Sequence, residues 1–187
     1  MISGFFRTRK AFPPFPPARE RFFRLARERA DALDSYAMKH YVSEPFRVRF
    51  SETDMAGVVH FSQMLRWAEN AESEFFREHG LSFVEKGETA GTLFGWPRAR
   101  VAADFLAPAH YDERIRVRIR PRGVPAENSS ALHWDFEIVA GEESEPERAI
   151  ARGSWTSVYA RVDSAEKSVR AENVPEAVRK ILKIFEN

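Results

Sequence analysis

The stretch that decides the fold reads Phe50-Ser51-Glu52-Thr53-Asp54-Met55-Ala56-Gly57-Val58-Val59-His60-Phe61. Before it, residues 46–50 alternate apolar and arginine side chains, the period of a half-buried strand. After it, a helical pattern begins. A carboxylate, a glycine and a helix start therefore fall close together, in an arrangement that can place a reactive oxygen beside backbone N–H groups aimed at a carbonyl.

A long helix is predicted from about residue 62 to about residue 79. Ser62 is a plausible N-cap, and Gly80, which follows His79, is a plausible C-terminal stop. The apolar residues recur at steps of three and four, as on one helix face: Phe61, Met64, Leu65, Ala68, Ala71, Phe75 and Phe76.

Strand-like segments dominate the rest of the chain. Four strands are predicted at about 93–107, 113–121, 130–140 and 148–161, and a short helix at about 175–185. The clearest strand places Ile115, Val117 and Ile119 on one face, with arginines between them. Because the links between these strands are short, the sheet is expected to be antiparallel. The predicted class is α+β, with the long helix packed on the sheet.

Composition narrows the classes of function. The net charge of +1 is the sum of a basic segment, residues 1–40, and a mildly acidic remainder. An acidic main domain does not indicate a nucleic-acid binder. No stretch is apolar for long enough to span a membrane. The absence of cysteine excludes disulfides and thiolate sites and fits a reducing compartment, so a cytoplasmic location is expected. The five histidines show no ligand spacing, and no metal or cofactor is predicted.

The chain is predicted to divide near residue 40. Residues 1–40 form an N-terminal extension, Pro-rich at first and then helical, and residues 41–187 form the main domain. Met38 stands just before the first predicted strand and could be the true start.

Residues 46–76 resemble the hotdog-fold acyl-CoA thioesterases, and more closely the hydroxybenzoyl-CoA thioesterase-like family. The shared features are the aromatic residue that ends the first strand, the acidic Glu52, the small residues around Asp54 and Gly57, and the aromatic pair at the helix start. Trp67 and Glu69 stand at the family's helix positions. The stretch 101–112 resembles the family's second strand and turn. At position 60, where relatives often have Tyr, Phe or Trp, this chain has histidine.

The resemblance implies a long central helix wrapped by a five-stranded antiparallel sheet. It also implies an acyl-CoA substrate and self-association as a homodimer or homotetramer, with active sites between subunits.

The resemblance further implies roles for individual residues. Asp54 is expected to act as a general base or as a nucleophile, two possibilities that stay open, against the alternative of an aspartate that only caps its loop. The backbone N–H of Phe61 is expected to hold the thioester oxygen. The expected substrate-binding residues are Gly57, Val59, His60, Trp67 and Glu69.

Two other functions compete with thioester hydrolysis. The first is a non-catalytic acyl-CoA-binding or assembly module, because a fold does not fix a function. The second is another hotdog enzyme, such as an enoyl-thioester hydratase.

Overall fold

The computed structural model describes residues 40–142 and 146–186. The predicted extension lies almost entirely outside the described residues, and the division of the chain near residue 40 stays a prediction. The described part contains two α-helices, α1 (Phe61–Glu78) and α2 (Glu176–Leu182), and ten strands. The strands are β1 (Tyr41–Val42), β2 (Phe46–Arg47), β3 (Glu85–Lys86), β4 (Thr92–Gly95), β5 (Arg98–Phe105), β6 (Arg114–Pro121), β7 (Ala131–Ala140), β8 (Arg148–Val158), β9 (Ala160–Asp163) and β10 (Ser168–Ala171).

The main sheet is antiparallel and six-stranded, with the order β1-β6-β7-β8-β5 and with β2 also paired to β6. The five-stranded expectation is therefore wrong by one strand. Two short strands, β1 and then β2, pair with different parts of the same edge of β6. Between them Pro45, which has no N–H to donate, interrupts the ladder, although Ser43 still donates its N–H to the carbonyl of Val117 at 2.8 Å.

A second, four-stranded sheet has the order β10-β9-β4-β3 and was not predicted. Two of the predicted strands each divide to form it. Residues 93–107 break at Trp96 and Pro97, and residues 148–161 break at Tyr159. The detached pieces, β4 and β9, then pair with each other. The N–H of Val158 donates to the carbonyl of Pro97 at 3.0 Å, which keeps the two breaks side by side.

The alternation in β6 is confirmed. Ile115, Val117 and Ile119 are buried, and the arginines between them face a row of carboxylates on the other side of the sheet. Arg118 bonds to Glu137 at 2.9 Å, and Arg120 bonds to Asp135 at 3.0 Å. One face of the main sheet therefore meets the core, and the other is covered by ion pairs.

Helix α1 packs its apolar face against the sheet and forms one side of the core. Phe75 packs edge-on against Trp134 of β7 at 5.3 Å and against Tyr41 of β1 at 5.7 Å. Phe76 lies 5.3 Å from Trp96. The predicted C-terminal stop is confirmed, because Gly80 has a φ of +70°, a conformation that glycine adopts without strain.

The predicted N-cap is wrong. His60 caps the helix and Phe61 begins it, two residues before the position that Ser62 as N-cap would give. The carbonyl of His60 accepts the N–H of Gln63 at 2.9 Å, which closes the first turn early.

The predicted strand at 46–50 is shorter than expected. β2 ends at Arg47, and a 3₁₀ turn occupies Phe50–Glu52. Val48 is buried, but Phe50 is 78% exposed. The side chain of Glu52 accepts the N–H of Arg49 at 2.7 Å, which stabilises this turn. Because the chain turns here, the side chain of Phe50 lies outside the core. The last helix is also shorter than predicted, since α2 passes into a 3₁₀ turn at Lys183–Phe185.

Neither described helix has the length and apolarity that a bilayer crossing requires.

Candidate active site

The loop between β2 and α1 is folded as a tight hairpin. Thr53 forms an antiparallel bridge with Val59. The N–H of Asp54 donates to the carbonyl of Val58 at 2.8 Å, and the N–H of Gly57 donates to the carbonyl of Asp54 at 2.9 Å. Gly57 has a φ of +74°, in the left-handed region. Glycine fits this turn because a Cβ would be strained there.

Asp54 lies on the exposed side of this hairpin. Its Oδ1 accepts the N–H of Ala56 at 2.8 Å, as in an Asx turn. Its Oδ2 accepts no hydrogen bond from the described residues. One carboxylate oxygen therefore shapes the loop, and the other is open to a substrate or to water.

The start of α1 leaves one backbone donor unused. The N–H of Ser62 donates to Nδ1 of His60 at 3.4 Å, and the N–H of Gln63 donates to the carbonyl of the same residue. The N–H of Phe61 donates no hydrogen bond within residues 40–142 and 146–186. An unpaired N–H at a helix N-terminus carries partial positive charge and favours a developing oxyanion.

His60 serves as the cap of this helix and is itself exposed. Its Nδ1 lies 2.8 Å from the hydroxyl of Ser62, and its ring lies 4.5 Å from that of Phe61.

A carboxylate brace, which sequence reasoning missed, holds the loop to the helix. Oε1 of Glu52 accepts the indole N–H of Trp67 at 2.9 Å. The backbone carbonyl of Glu52 accepts the N–H of His60 at 3.0 Å. Trp67 is buried, and its ring packs edge-on against Phe46 at 5.3 Å. The sequence marks Glu52 only as part of the motif, and no local pattern indicates a contact between residues fifteen positions apart.

The loop is also fixed by the segment that follows β5. Val59 is buried, and its N–H donates to the carbonyl of Ala109 at 2.8 Å. Val58 forms an antiparallel bridge with His110, whose Nδ1 lies 3.2 Å from the carbonyl of Gly57. The stretch 101–112, which supported the resemblance, thus ends against the loop that carries Asp54.

Glu69 lies about two turns into α1 and its side chain is 53% exposed. Its carboxylate is 3.7 Å from the guanidinium of Arg98 on β5. Its neighbour one turn further on, Glu72, is fully buried, forms an ion pair with Arg98 and accepts the hydroxyl of Ser157 at 3.0 Å. Burial raises the pKa of Glu72, and Arg98 and Ser157 counteract part of that rise.

Sequence reasoning missed the Glu72–Arg98 pair, although one signal was available. Glu72 stands four residues after Ala68 and three before Phe75, both of which are buried. A carboxylate on the apolar face of a helix requires a partner in the core.

The structure thus places the predicted site residues in two groups. Asp54, Gly57, Val59, His60 and Phe61 lie together in the hairpin and at the helix start. Trp67 is buried behind the loop, and Glu69 lies further along α1. No three His, Cys, Asp or Glu side chains of the described residues come together as a metal site would require.

Comparison with known proteins places this geometry in a family. A family model described as "Thioesterase-like superfamily" matches residues 48–182. A 1,4-dihydroxy-2-naphthoyl-CoA hydrolase of Parasynechococcus marenigrum (strain WH8102) is 29% identical over 109 residues, which are 54% of this chain and 72% of that protein. Further relatives of the same name are matched over only 60 to 62% of their length.

Solved structures share the fold. A 1,4-dihydroxy-2-naphthoyl-CoA thioesterase from Synechocystis superposes with a TM-score of 0.61 at 22% identity, over 80% of this chain and 99% of that one. A mutant 4-hydroxybenzoyl CoA thioesterase complexed with 4-hydroxybenzoyl CoA gives 0.59 at 18% identity, over 76% and 98%. Because the family model matches residues 48–182, the chain belongs to the thioesterase-like superfamily, which confirms the predicted hotdog family and the predicted enzyme class.

Proposed function

We propose that this protein hydrolyses an acyl-CoA thioester to the free acid and coenzyme A, at the loop that carries Asp54. One observation carries the proposal: a carboxylate with an uncommitted oxygen lies on the hairpin that leads directly to a helix start whose first N–H, that of Phe61, is also uncommitted. Thioester cleavage needs both, an oxygen nucleophile or base and a donor for the oxyanion.

In the proposed mechanism the N–H of Phe61 binds the thioester oxygen. Nucleophilic attack on the carbonyl carbon moves negative charge onto that oxygen, where the N–H and the dipole of α1 stabilise it. The tetrahedral intermediate then collapses and expels the thiolate of coenzyme A, which takes up a proton.

Two routes deliver the attacking oxygen. In one, the carboxylate of Asp54 removes a proton from water, and the hydroxide attacks. In the other, the carboxylate attacks directly and forms a mixed anhydride, which water then cleaves. A single turnover in water labelled with oxygen-18 tests for the second route. If water cleaves the anhydride at the carbonyl carbon of Asp54, the label enters the Asp54 carboxylate and the first product acid is unlabelled, whereas hydroxide attack on the thioester labels that acid.

The remaining predicted residues support this chemistry in different ways. Gly57 and Val59 hold the hairpin in place, and His60 caps the start of the helix through its Nδ1. Trp67 braces the loop through Glu52 and so acts on the substrate indirectly. Glu69 lines a small pocket between α1 and β5, beside Arg98.

The names of the relatives favour an aromatic acyl group carried by coenzyme A. The hydrolases from Parasynechococcus and Synechocystis are both named for 1,4-dihydroxy-2-naphthoyl-CoA. For this protein we propose only the substrate class that these names share, an aromatic acyl-CoA. A cytoplasmic location, where such esters are made and used, stays a prediction.

Self-association as a homodimer or homotetramer is part of the proposal. Strand β5 is an edge of the main sheet, and Val101 and Phe105 on it are 45% and 41% exposed. Phe61, whose ring lies 6.0 Å from that of Phe105, is 53% exposed. An open edge with apolar side chains is a template for pairing with another chain. A second copy paired there would enclose the helix start.

The substitution Asp54→Asn tests the mechanism. It keeps the acceptor that Ala56 needs and removes the basic oxygen, so kcat for release of free thiol is expected to fall about 10²- to 10⁴-fold while the melting temperature is unchanged. Asp112→Asn is the matched control. The carboxylate of Asp112 is exposed, and its ion pair with the exposed Arg47 is long, at 3.8 Å, so removing its charge should have little effect. Full activity of Asp54→Asn on the best substrate of an aromatic acyl-CoA panel would refute the mechanism.

A non-catalytic acyl-CoA-binding module is the second candidate. The observation in its favour is the bond from Ala56 to Asp54, since loop capping alone accounts for an aspartate at this position. Saturable binding of aromatic acyl-CoA by the wild-type protein, with no thiol released from any member of the panel, would establish this function instead.

A further inference from the structure

Glu52 stands where the hairpin that carries Asp54 meets helix α1. Its backbone carbonyl accepts the N–H of His60 at 3.0 Å, a bond that closes the base of the hairpin. The helix begins at the next residue, Phe61, whose own N–H donates no hydrogen bond within the described residues. The position of this N–H relative to Asp54 therefore depends on how the base of the hairpin is held against the helix.

The carboxylate of Glu52 uses both of its oxygens. Oε2 accepts the N–H of Arg49 at 2.7 Å, at the start of the 3₁₀ turn, and Oε1 accepts the indole N–H of Trp67 at 2.9 Å. Both distances are those of good hydrogen bonds, and bonds to an ionised acceptor are the stronger kind. A glutamine has one acceptor oxygen and could serve one of these two donors. The two bonds together therefore require a carboxylate at this position.

Trp67 gives Glu52 a fixed point on the helix. Its side chain is buried in the second turn of α1, and its ring packs edge-on against Phe46 of β2 at 5.3 Å. A buried indole N–H normally has a hydrogen-bond partner, and leaving it without one costs free energy. Because this ring cannot shift without opening the core, the bond fixes Glu52 relative to α1.

Packing does not hold the turn against the helix on this side. An open cavity of about 400 Å³ lies between them, with Phe46 and Arg49 on one wall and Asn70 and Glu74 of α1 on the other. Among the described residues, no side-chain hydrogen bond other than that of Glu52 joins the 3₁₀ turn to α1. The attachment of the turn to the helix thus depends on this one carboxylate.

We propose that Glu52 is a positioning residue for thioester cleavage: its bond to Trp67 fixes the hairpin that carries Asp54 relative to the N–H of Phe61. This inference rests on the proposed function for the roles of Asp54 and Phe61. Glu52 itself touches no reacting atom. Its loss therefore slows the chemical step more than it weakens substrate binding, because the contacts with coenzyme A are made elsewhere.

The substitution Trp67→Phe tests the inference, because it keeps an aromatic ring against Phe46 and removes the indole N–H. On the best substrate of the acyl-CoA panel, kcat is expected to fall about 10- to 100-fold, the usual cost of displacing a catalytic group by about 1 Å. KM is expected to stay within about threefold of the wild-type value. Trp134→Phe is the matched control. Trp134 is fully buried in β7 and its indole N–H has no partner among the described residues, so this variant loses stability and keeps the wild-type kcat.

A double-mutant cycle isolates the bond itself. Glu52→Ala removes both acceptors and is expected to lower kcat at least as much as Trp67→Phe does. In the Glu52→Ala background, Trp67→Phe should cause no further fall, since the bond is already lost. Glu52→Gln keeps one acceptor oxygen and should recover part of the lost rate. Falls that multiply in the double variant would show that the two residues act independently, and they would overturn the inference.

Amide hydrogen exchange separates this inference from the proposed function. The backbone N–H groups of Asp54, Gly57 and His60 hold the hairpin together, and their exchange reports its opening without any substrate. In Trp67→Phe they are expected to exchange at least about tenfold faster than in the wild type, whereas in Trp134→Phe they keep the wild-type rates.

Each result then bears on one claim. If the wild type releases no thiol from any ester, but hairpin exchange rises in Trp67→Phe and not in Trp134→Phe, the brace fixes the hairpin and the proposed function fails. If Trp67→Phe keeps the wild-type exchange rates, or exchanges faster with the wild-type kcat, the positioning role of Glu52 is wrong and thioester hydrolysis stands.

Discussion

At the scale of the residue, the conformation of Gly57 controls where Asp54 lies. Asp54 and Gly57 are the two ends of one turn, and a Cβ at residue 57 would meet no atom within 4 Å. The requirement for glycine is therefore conformational, from the φ of +74°, and not steric crowding. A side chain there changes the loop without touching a neighbour.

The substitution Gly57→Ala is expected to cost about 1–2 kcal/mol of unfolding free energy and to lower kcat/KM, because relief of the strain displaces Asp54. Denaturant unfolding and thiol release measure the two effects. Gly123→Ala is the matched control, with a φ of +98° and open space around its Cβ in the turn after β6. It should lose similar stability and no activity, and wild-type kcat/KM in Gly57→Ala would contradict the role of the turn.

At the scale of the element, strand β8 depends on a residue with no side chain. A Cβ built on Gly153 would lie 2.3 Å from the carbonyl oxygen of Ala102 on β5 and 2.5 Å from the ring of Phe136 on β7. Gly153 lets both neighbouring strands approach closely at this point. The backbone carbonyl on one side cannot move without breaking the ladder.

The substitution Gly153→Ala is therefore expected to destabilise the protein by about 1–3 kcal/mol, the usual cost of overpacking. Urea unfolding followed by tryptophan fluorescence measures the change. The neighbouring Ser154→Ala, which only trims a partly buried side chain, is the control and should lie within about 0.5 kcal/mol of the wild type. Equal stability of the two variants would show that β5 and β7 adjust freely.

At the scale of the whole molecule, the two sheets leave edges of different character. The edge at β5 carries the exposed Phe105 beside the exposed Phe61, whereas the edge at β10 belongs to the second sheet and exposes Val169. Pairing through β5 would join two main sheets and cover the aromatic side chains at the helix start.

Val101→Lys is expected to shift the protein from a homodimer or homotetramer to a monomer, because a charge on an edge strand opposes pairing. Sedimentation velocity measures the mass. Val169→Lys, at 63% exposure on β10, is the control and should keep the wild-type mass. A monomeric wild type, or an unchanged mass in Val101→Lys, would exclude β5 as the interface.

Much of the fold could be predicted from local pattern. The period of α1, the stop at Gly80 and the alternation in β6 are short-range signals, because each depends on which face of one element is buried. The breaks at Trp96 and Tyr159 were missed, since what ends those strands is the pairing of β4 with β9, between residues 65 to 71 positions apart along the chain.

For the candidate site, the sequence by itself determined the loop, with Asp54, Gly57 and Phe61 within eight residues, because turn chemistry and helix starts are local. Only the tertiary structure decided which polar side chains are bonded within the protein and which keep an atom free to bind a substrate. Glu52 is committed to Trp67 and the part-buried Arg98 is committed to the buried Glu72, while Oδ2 of Asp54 accepts no hydrogen bond from the described residues. The physical reason is that burial and partnership depend on side chains brought together from distant parts of the chain, which no local pattern records.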